Sequence, residues 1–256
     1  MDVSVVIPVK NEAENVAPLV DEIHVALEGL VRYEIIFVDD GSTDATAGEL
    51  ARLAAEMPQL RLLKHAQSCG QSAAIRTGVK LARAAWIATL DGDGQNDPAD
   101  IPRLWRLSML NHGTAPALFT GVREKRQDGW TKRWASRMAN RIRRRLLADE
   151  TPDTGCGLKL FPRALFLDLP YFDHMHRFLP ALVLREGGTV HSLPVNHRPR
   201  RRGASKYGVF DRLGVGIADL LGVMWLQRRA ALPRLLPATL SEPETGSPTP
   251  IISASS

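Results

Sequence analysis

Val3-Ser4-Val5-Val6-Ile7 opens the chain as an apolar run, and Val16, Leu19, Val20, Ile23 and Leu27 follow it at helical spacing. The run reads as a buried strand and the spacing as a helix with one apolar face. The same unit recurs, with strands expected over residues 34–38, 61–64 and 86–90 and helices over 43–55 and 72–84. Asp97-Pro98-Ala99-Asp100 starts a further helix, with Asp97 as its cap and Pro98 in its first turn, and 117–120 resumes the sheet. Such alternation predicts an α/β chain built on a doubly wound, mostly parallel sheet with helices on both faces.

Beyond residue 122 the regular alternation gives way to a basic helical segment, a short strand near 158–161 and a helix over 179–186. The domain organisation expected is a catalytic domain over 1–208, an amphipathic segment over 209–236 and a disordered tail over 237–256, where Pro, Ser, Thr and Gly dominate.

The 256 residues, 44% hydrophobic and 24% charged, are ordinary for a globular protein with a sizeable core. Cys69 and Cys156 are the sole cysteines, so neither a disulfide framework nor a CxxC metal site is expected. The net charge of +5 is unevenly spread, because residues 123–145 hold ten Lys or Arg against Glu124 and Asp128. That stretch calls for an anionic partner.

In an open parallel sheet ligands bind at the carboxyl ends of the strands. Three of those ends carry polar or acidic residues here: Pro8-Val9-Lys10-Asn11-Glu12, Asp39-Asp40-Gly41-Ser42 and Asp91-Gly92-Asp93-Gly94-Gln95. Any one alone is ordinary turn or capping chemistry, but three converge on one edge. Asp91 and Asp93, two residues apart, would point the same way, with Gly92 leaving room for a ligand between them. Hard oxygen ligands with few protein contacts suit Mg²⁺ or Mn²⁺ bridging a diphosphate. No P-loop and no strand-linked Gly-x-Gly-x-x-Gly is present, which argues against an NTPase or a dinucleotide enzyme.

Together these three motifs resemble the family-2 glycosyltransferases, most closely the dolichol-phosphate mannose synthase and polyprenyl-phosphate branch. The resemblance implies a glycosyltransferase-A type fold, with Pro8, Glu12, Asp39 and Asp40 on the nucleotide side and Asp91, Asp93 and Gln95 binding the metal and donor diphosphate. It implies that Arg123, in Gly121-Val122-Arg123, contacts the acceptor phosphate, with Arg137 as a second contact. It implies too that Asp153-Thr154-Gly155-Cys156-Gly157-Leu158-Lys159 borders the acceptor site, and that Arg202, Ser205 and Lys206 lie in a loop closing over the diphosphate. Asp93, Arg123 and Arg202 are then the candidate catalytic residues. The reaction implied is inverting transfer of a sugar from GDP-mannose or a UDP-sugar to a polyprenyl or dolichyl phosphate. A phosphate monoester is already mostly dianionic at neutral pH, so it needs charge complementarity rather than a base. The alternative, a saccharide hydroxyl acceptor, would need one, and Asp153 is the leading candidate. His174, His176 and Arg177 match no family role, which leaves His176 and Arg177 open as acceptor-side residues or as packing and capping residues.

Trp130, Trp134, Met138, Ile142 and Leu146 recur every four residues among the arginines, giving an amphipathic basic helix suited to anionic lipid, or to packing on the core. No nucleic-acid module accompanies the charge, so no nucleic-acid partner is expected. The apolar stretch 213–226 is short of the ~20 residues a spanning helix needs, and contains Asp219. Residues 209–232 are apolar enough to lie at a membrane interface, pair with a second copy or pack on the domain. With no secretory signal in evidence, the location expected is cytoplasmic, peripheral to the inner face of the membrane.

Overall fold

A computed structural model of the chain describes residues 1–111, 113–123, 143–199 and 211–232, with the side chains of 211–215 left aside. Seven strands form one sheet: β1 (Val3–Val9), β2 (Tyr33–Asp39), β3 (Leu60–Lys64), β4 (Trp86–Thr89), β5 (Ala117–Arg123), β6 (Lys159–Pro162) and β7 (Thr189–Val195). Their order is β3-β2-β1-β4-β6-β5-β7. All ladders are parallel except the two made by β6, which runs antiparallel to both β4 and β5. Two successive reversals leave β5 running in the same direction as β4, so both strands end on one edge.

The helices are α1 (Ala13–Leu27), α2 (Thr46–Glu56), α3 (Gln71–Leu81), α4 (Ile101–Leu110), α5 (Arg163–Asp168), α6 (Leu179–Arg185) and α7 (Asp211–Arg228). Strand residues alternate between two apolar cores, because successive side chains of a strand point to opposite faces. Val3, Val5, Ile7, Ile35 and Phe37 meet Val16, Val20 and Ile23 of α1, Leu50 of α2 and Leu104 of α4 on one face. On the other, Val6, Ile36, Val38 and Ile87 meet Ala74 and Val79 of α3, Phe166 of α5, Leu182 of α6 and Val223 of α7. Helices on both faces make the sheet doubly wound. Burial of each such side chain contributes about 1.5–3 kcal/mol, and each strand of the parallel half belongs to both cores.

β7 and α5 are elements the sequence reading does not anticipate. β7 is an edge strand and contains Pro194, a position a sheet tolerates where no outer neighbour needs the missing N–H.

Residues 124–142, with Trp130, Trp134, Arg137, Met138 and Ile142, lie outside the described residues, as do 200–210 and 233–256. Residues 143–147 are helical, but the apolar face is one position out of register with the expected stripe. Leu146 is exposed and Leu147 wholly buried. Arg143 is buried too, with its guanidinium on the Asp149 carboxylate and on the Thr151 carbonyl at 2.9 Å. That arginine braces the chain internally instead of meeting solvent or lipid.

Segment 209–232 divides its surface. Val223 of α7 is wholly buried against α6 and its neighbours, whereas Ile217, Leu221 and Trp225 are each more than half exposed on the opposite side. No helix among the described residues is long and apolar enough to cross a membrane.

Candidate active site at the carboxyl edge of the sheet

The loops leaving β1 and β2 are fastened to each other. Asn11, in the left-handed region at φ 54°, donates its backbone N–H to Ser42 Oγ at 2.9 Å and accepts from the Thr43 N–H at 2.7 Å. The Glu12 N–H donates to Thr46 Oγ1 at 2.8 Å. These bonds hold one wall of a cavity of about 350 Å³ that opens at the carboxyl ends of β1, β2 and β4. Pro8, Glu12, Asp40, Asp91 and Asp93 line it, and Lys159, His176 and Arg177 line it from the β6 and α6 side.

Asp39 and Asp40 have separate tasks. Asp39 accepts the Ser42 N–H at 3.0 Å, fixing the turn after β2, and does not line the cavity. Asp40 collects a whole loop. Its Oδ1 takes His65 Nδ1 at 2.7 Å and the Cys69 N–H at 2.8 Å, and its Oδ2 takes Ser68 Oγ at 2.8 Å and the Gly70 N–H at 2.9 Å. Burial works against its charge, but these hydrogen bonds outweigh burial and hold the carboxyl below the usual range. Gly41, at φ 68°, lets the loop lie close, since a side chain there would press on the backbone of Gln67 and Ser68. Asp40 thereby places Gly70 and Gln71, the start of α3, at the cavity.

Asp91 and Asp93 follow β4. Asp91 accepts from Gln71 Nε2 at 2.9 Å, and Asp93 accepts the Gln95 N–H at 3.1 Å. Gly92 does not make room for a ligand; a Cβ there would collide with Val9, so its absence lets β4 pack on β1. The glycine that gives the pair its space is Gly157, where a Cβ would run into the Asp91 carboxylate. Gln95 does not line the cavity: its side chain reaches the Arg198 carbonyl at 3.5 Å, and its carbonyl takes the Arg198 N–H at 2.9 Å.

Burial, reinforced by the charge of Asp93, pushes the Asp91 carboxyl up to about 6, against the opposing pull of Lys159, Arg123 and Gln71. A carboxylate pair held together at such cost, with hard oxygen donors facing a polar cavity, has the donor chemistry for a divalent cation. By contrast, in the cluster of Asp40, His65 and Cys69 the carboxylate and imidazole are spent on the hydrogen bonds given above and the thiol on the Gln67 carbonyl at 3.4 Å.

Arg123, at the end of β5, makes a two-point ion pair with Asp153, Nε to Oδ2 at 2.6 Å and Nη2 to Oδ1 at 2.8 Å. The pair sits behind the turn 154–157 and outside the cavity lining. Burial opposes the charge on Arg123, but Asp153 more than restores it. Arg202, Ser205 and Lys206 lie outside the described residues.

Sequence reasoning misses the roles of His65, Ser68 and Gln71, which reach the site through contacts that no local spacing encodes. His176, which the sequence leaves open between an acceptor-side and a packing role, is likewise held by a distant contact. Its ring is half-buried, with Nδ1 at 2.7 Å from Ser72 Oγ, and burial followed by the charges of Lys159 and Arg177 pushes it down to about 3. It is therefore a neutral imidazole at physiological pH.

Known proteins resemble both this framework and this chain. Mannosyl-3-phosphoglycerate synthase from Rubrobacter xylanophilus superposes with a TM-score of 0.67 at 18% identity, covering 93% of this chain and 78% of that one. Glucosyl-3-phosphoglycerate synthase from Mycobacterium tuberculosis, solved with Mg²⁺ and uridine diphosphate, superposes with a TM-score of 0.63 at 19% identity, covering 91% and 80%. At that identity the likeness shows the fold, which is the glycosyltransferase-A type.

A profile described as glycosyl transferase family 2 matches residues 4–169, and the chain belongs to that family. Dodecaprenyl-phosphate galacturonate synthase of Rhizobium johnstonii is 37% identical over 238 residues, 91% of this chain and 69% of the relative. Undecaprenyl-phosphate 4-deoxy-4-formamido-L-arabinose transferase of Edwardsiella ictaluri is 33% identical over 216 residues, 83% and 65%. The chain thus spans about two thirds of the length of these relatives.

Proposed function

We propose that the chain transfers a sugar, with inversion, from a nucleotide diphosphate donor to a polyprenyl phosphate at the cytoplasmic face of a membrane. Both relatives carry a polyprenyl phosphate in their names. The observation that carries the reading for this chain is the state of Asp153. A hydroxyl acceptor would need a general base, and Asp153, the candidate for it, is locked by both carboxylate oxygens onto Arg123. The cavity offers the Arg177 guanidinium and the buried Lys159 amine instead, in the same lining as Asp91 and Asp93.

Asp91 and Asp93 are the residues that would hold Mg²⁺ or Mn²⁺, and such an ion stabilises charge on a departing diphosphate. Pro8, Glu12 and the Asp40 loop shape the nucleotide side. An acceptor phosphate oxygen forms the new bond to the anomeric carbon while the bond from that carbon to the diphosphate oxygen breaks, its electron pair leaving with the nucleotide. The protein's own part is to hold the two phosphates apart and in line. The exposed Ile217, Leu221 and Trp225 face of α7 supports attachment at the bilayer surface.

The deciding experiment measures nucleotide diphosphate release from a panel of GDP- and UDP-sugars with Mg²⁺ or Mn²⁺, with and without polyprenyl phosphate, for wild type and Asp93→Ala. Release that depends on the lipid phosphate and collapses in the variant is expected. Donor binding without lipid-dependent release would point to a saccharide acceptor.

A further inference from the structure

The motif His174-Met175-His176-Arg177 forms a short turn in the wall of the same cavity, and the reaction described above draws on it for the charge of Arg177 alone. Three observations meet there.

The first is the polarity of His176. Ser72 Oγ accepts the backbone N–H of His176 at 3.4 Å and lies 2.7 Å from Nδ1. Among the described residues Nδ1 is the acceptor within reach of the hydroxyl's proton, so the hydroxyl is assigned as donor to Nδ1 and the ring's own proton to Nε2. Ser72 is wholly buried behind the ring, so the edge that lines the cavity is the Nε2–H edge. That nitrogen has no hydrogen-bond partner among the described residues. A half-buried, unpartnered donor lining a polar cavity is placed to meet a ligand acceptor.

The second is Arg177. Its guanidinium makes no hydrogen bond or ion pair among the described residues, yet it lines the same cavity. Asp173, the acid on the same turn, accepts the His174 N–H at 2.8 Å. The third is the start of α3. Its eleven residues begin at Gln71 with no side-chain cap, and Gly70 and Gln71 line the cavity, so the first-turn N–H groups and the positive end of the helix dipole are turned toward it.

A neutral N–H donor, an unpaired arginine and an uncapped helix start are the parts of an oxyanion seat. The seat adjoins the carboxylate pair: Gln71 at the start of α3 donates to Asp91, and Lys159, tied to the Cys156 carbonyl, acts electrostatically on both Asp91 and His176. The pair suits the donor's diphosphate, so the adjoining seat is left for the second phosphate that the proposed reaction brings in. Arg123, the sequence-based candidate for that contact, is committed to Asp153.

We infer that His176 Nε2 and Arg177, at the start of α3, bind the phosphate monoester of the acceptor, with Ser72 as the positioning residue that sets the imidazole tautomer. This rests on the proposed function for the source of the phosphate.

The test pairs a binding measurement with kinetics. Calorimetry of farnesyl phosphate binding to the donor-free full chain compares wild type with Arg177→Ala, Arg177→Lys, His176→Gln and Ser72→Ala. Arg177 is exposed on its turn, so its variants keep the fold. Affinity is expected to fall on the order of tenfold or more for Arg177→Ala and His176→Gln, with part of it returned in Arg177→Lys. Nucleoside diphosphate binding in the presence of Mn²⁺ is expected to stay within about twofold in every variant. In turnover, the KM for undecaprenyl phosphate rises while that for the donor does not. Unchanged farnesyl phosphate affinity in Arg177→Ala overturns the inference, and so does weakened nucleoside diphosphate binding with lipid affinity intact, which would assign the seat to the donor. Wild-type protein that binds farnesyl phosphate through Arg177 but releases nucleotide without any lipid phosphate would uphold the seat and overturn the proposed function instead.

Discussion

Arg123 and Asp153 face each other across a two-point ion pair, at 2.6 and 2.8 Å, immediately behind the turn that lines the active-site cavity. Each is the other's main partner, and the pair joins the end of β5 to the lead into β6. Removing one half strands a mostly buried charge. Asp153→Ala is expected to lower stability by about 3 kcal/mol, read as a shift of the urea midpoint. The fraction of activity that survives is expected to keep the wild-type pH profile. A profile that loses its acidic limb in Asp153→Asn would instead identify Asp153 as a general base.

The Asp91 carboxyl, pushed up to about 6 by burial and by Asp93, fixes the pH dependence of metal binding. Its folded value lies above the ordinary 3.8, so its contribution to the metal-free fold is fully present below 3.8 and is lost as pH rises through about 6. A divalent ion reverses that cost, because it binds the deprotonated pair. Mn²⁺ should therefore raise the melting temperature more at pH 8 than at pH 5, and its affinity should weaken roughly tenfold per pH unit below about 6. An equal shift at both pH values would rule out Asp91 as a ligand.

Asp40 supplies four hydrogen bonds to one loop. In Asp40→Asn one carboxylate oxygen becomes a donor facing other donors, at an expected cost of about 2–3 kcal/mol. The sign with pH is opposite to that of Asp91. The folded carboxyl lies below the ordinary 3.8, so the stabilisation is present above that value and disappears as pH falls through the folded one. Denaturant titrations of both proteins should show a gap at pH 7 that closes in acid. A gap that persists in acid would mean the loss comes from packing.

Gly157→Ala places a methyl group against the Asp91 carboxylate. Mn²⁺ affinity is expected to fall at least tenfold while Gly92→Ala, which presses on Val9, acts mainly on stability. Metal titration and thermal melting of the two variants separate these effects, and the reverse pattern would return Gly92 to the site.

On α7, Ile217, Leu221 and Trp225 stand on one exposed side while Val223 anchors the other. Trp225→Glu should leave the melting temperature within a degree or two, since a surface change of this kind alters stability by about 0.5 kcal/mol or less. It should weaken sedimentation with anionic vesicles several-fold. Unchanged vesicle binding would assign that face to something other than lipid.

The parallel half of the fold is legible from the sequence because each of its strands is an apolar run followed by a helix of matching period. β7 is harder to read, since Pro194 and the polar residues of an edge strand blur its pattern. The basic helix shows why a stripe can mislead: a repeat of four drifts against a period of 3.6, and the buried positions are Arg143 and Leu147, not Leu146. Pro8, Glu12, Asp40, Asp91 and Asp93 come together as expected, because strand ends on one edge are neighbours by construction. Asp39 and Gln95 follow the same rule but spend their side chains on turn and strand contacts. His65 and Gln71 are out of reach of such a reading, as is the partner of His176, because His65 touches Asp40 across 25 residues and His176 touches Ser72 across 104.

One reversed strand divides the labour within the sheet. Since β6 runs against β4 and β5, the segment 153–157 arrives at the catalytic edge from the beginning of a strand, while every parallel strand reaches that edge at its end. The chain up to β4 and the chain from β5 onward therefore meet along a single seam of backbone hydrogen bonds. Across that seam Gly157 abuts the Asp91 carboxylate and Ser72 meets His176, so a change in the later half is felt at the carboxylate pair, and a lineage that exchanges the molecule receiving the sugar has to keep these contacts in place.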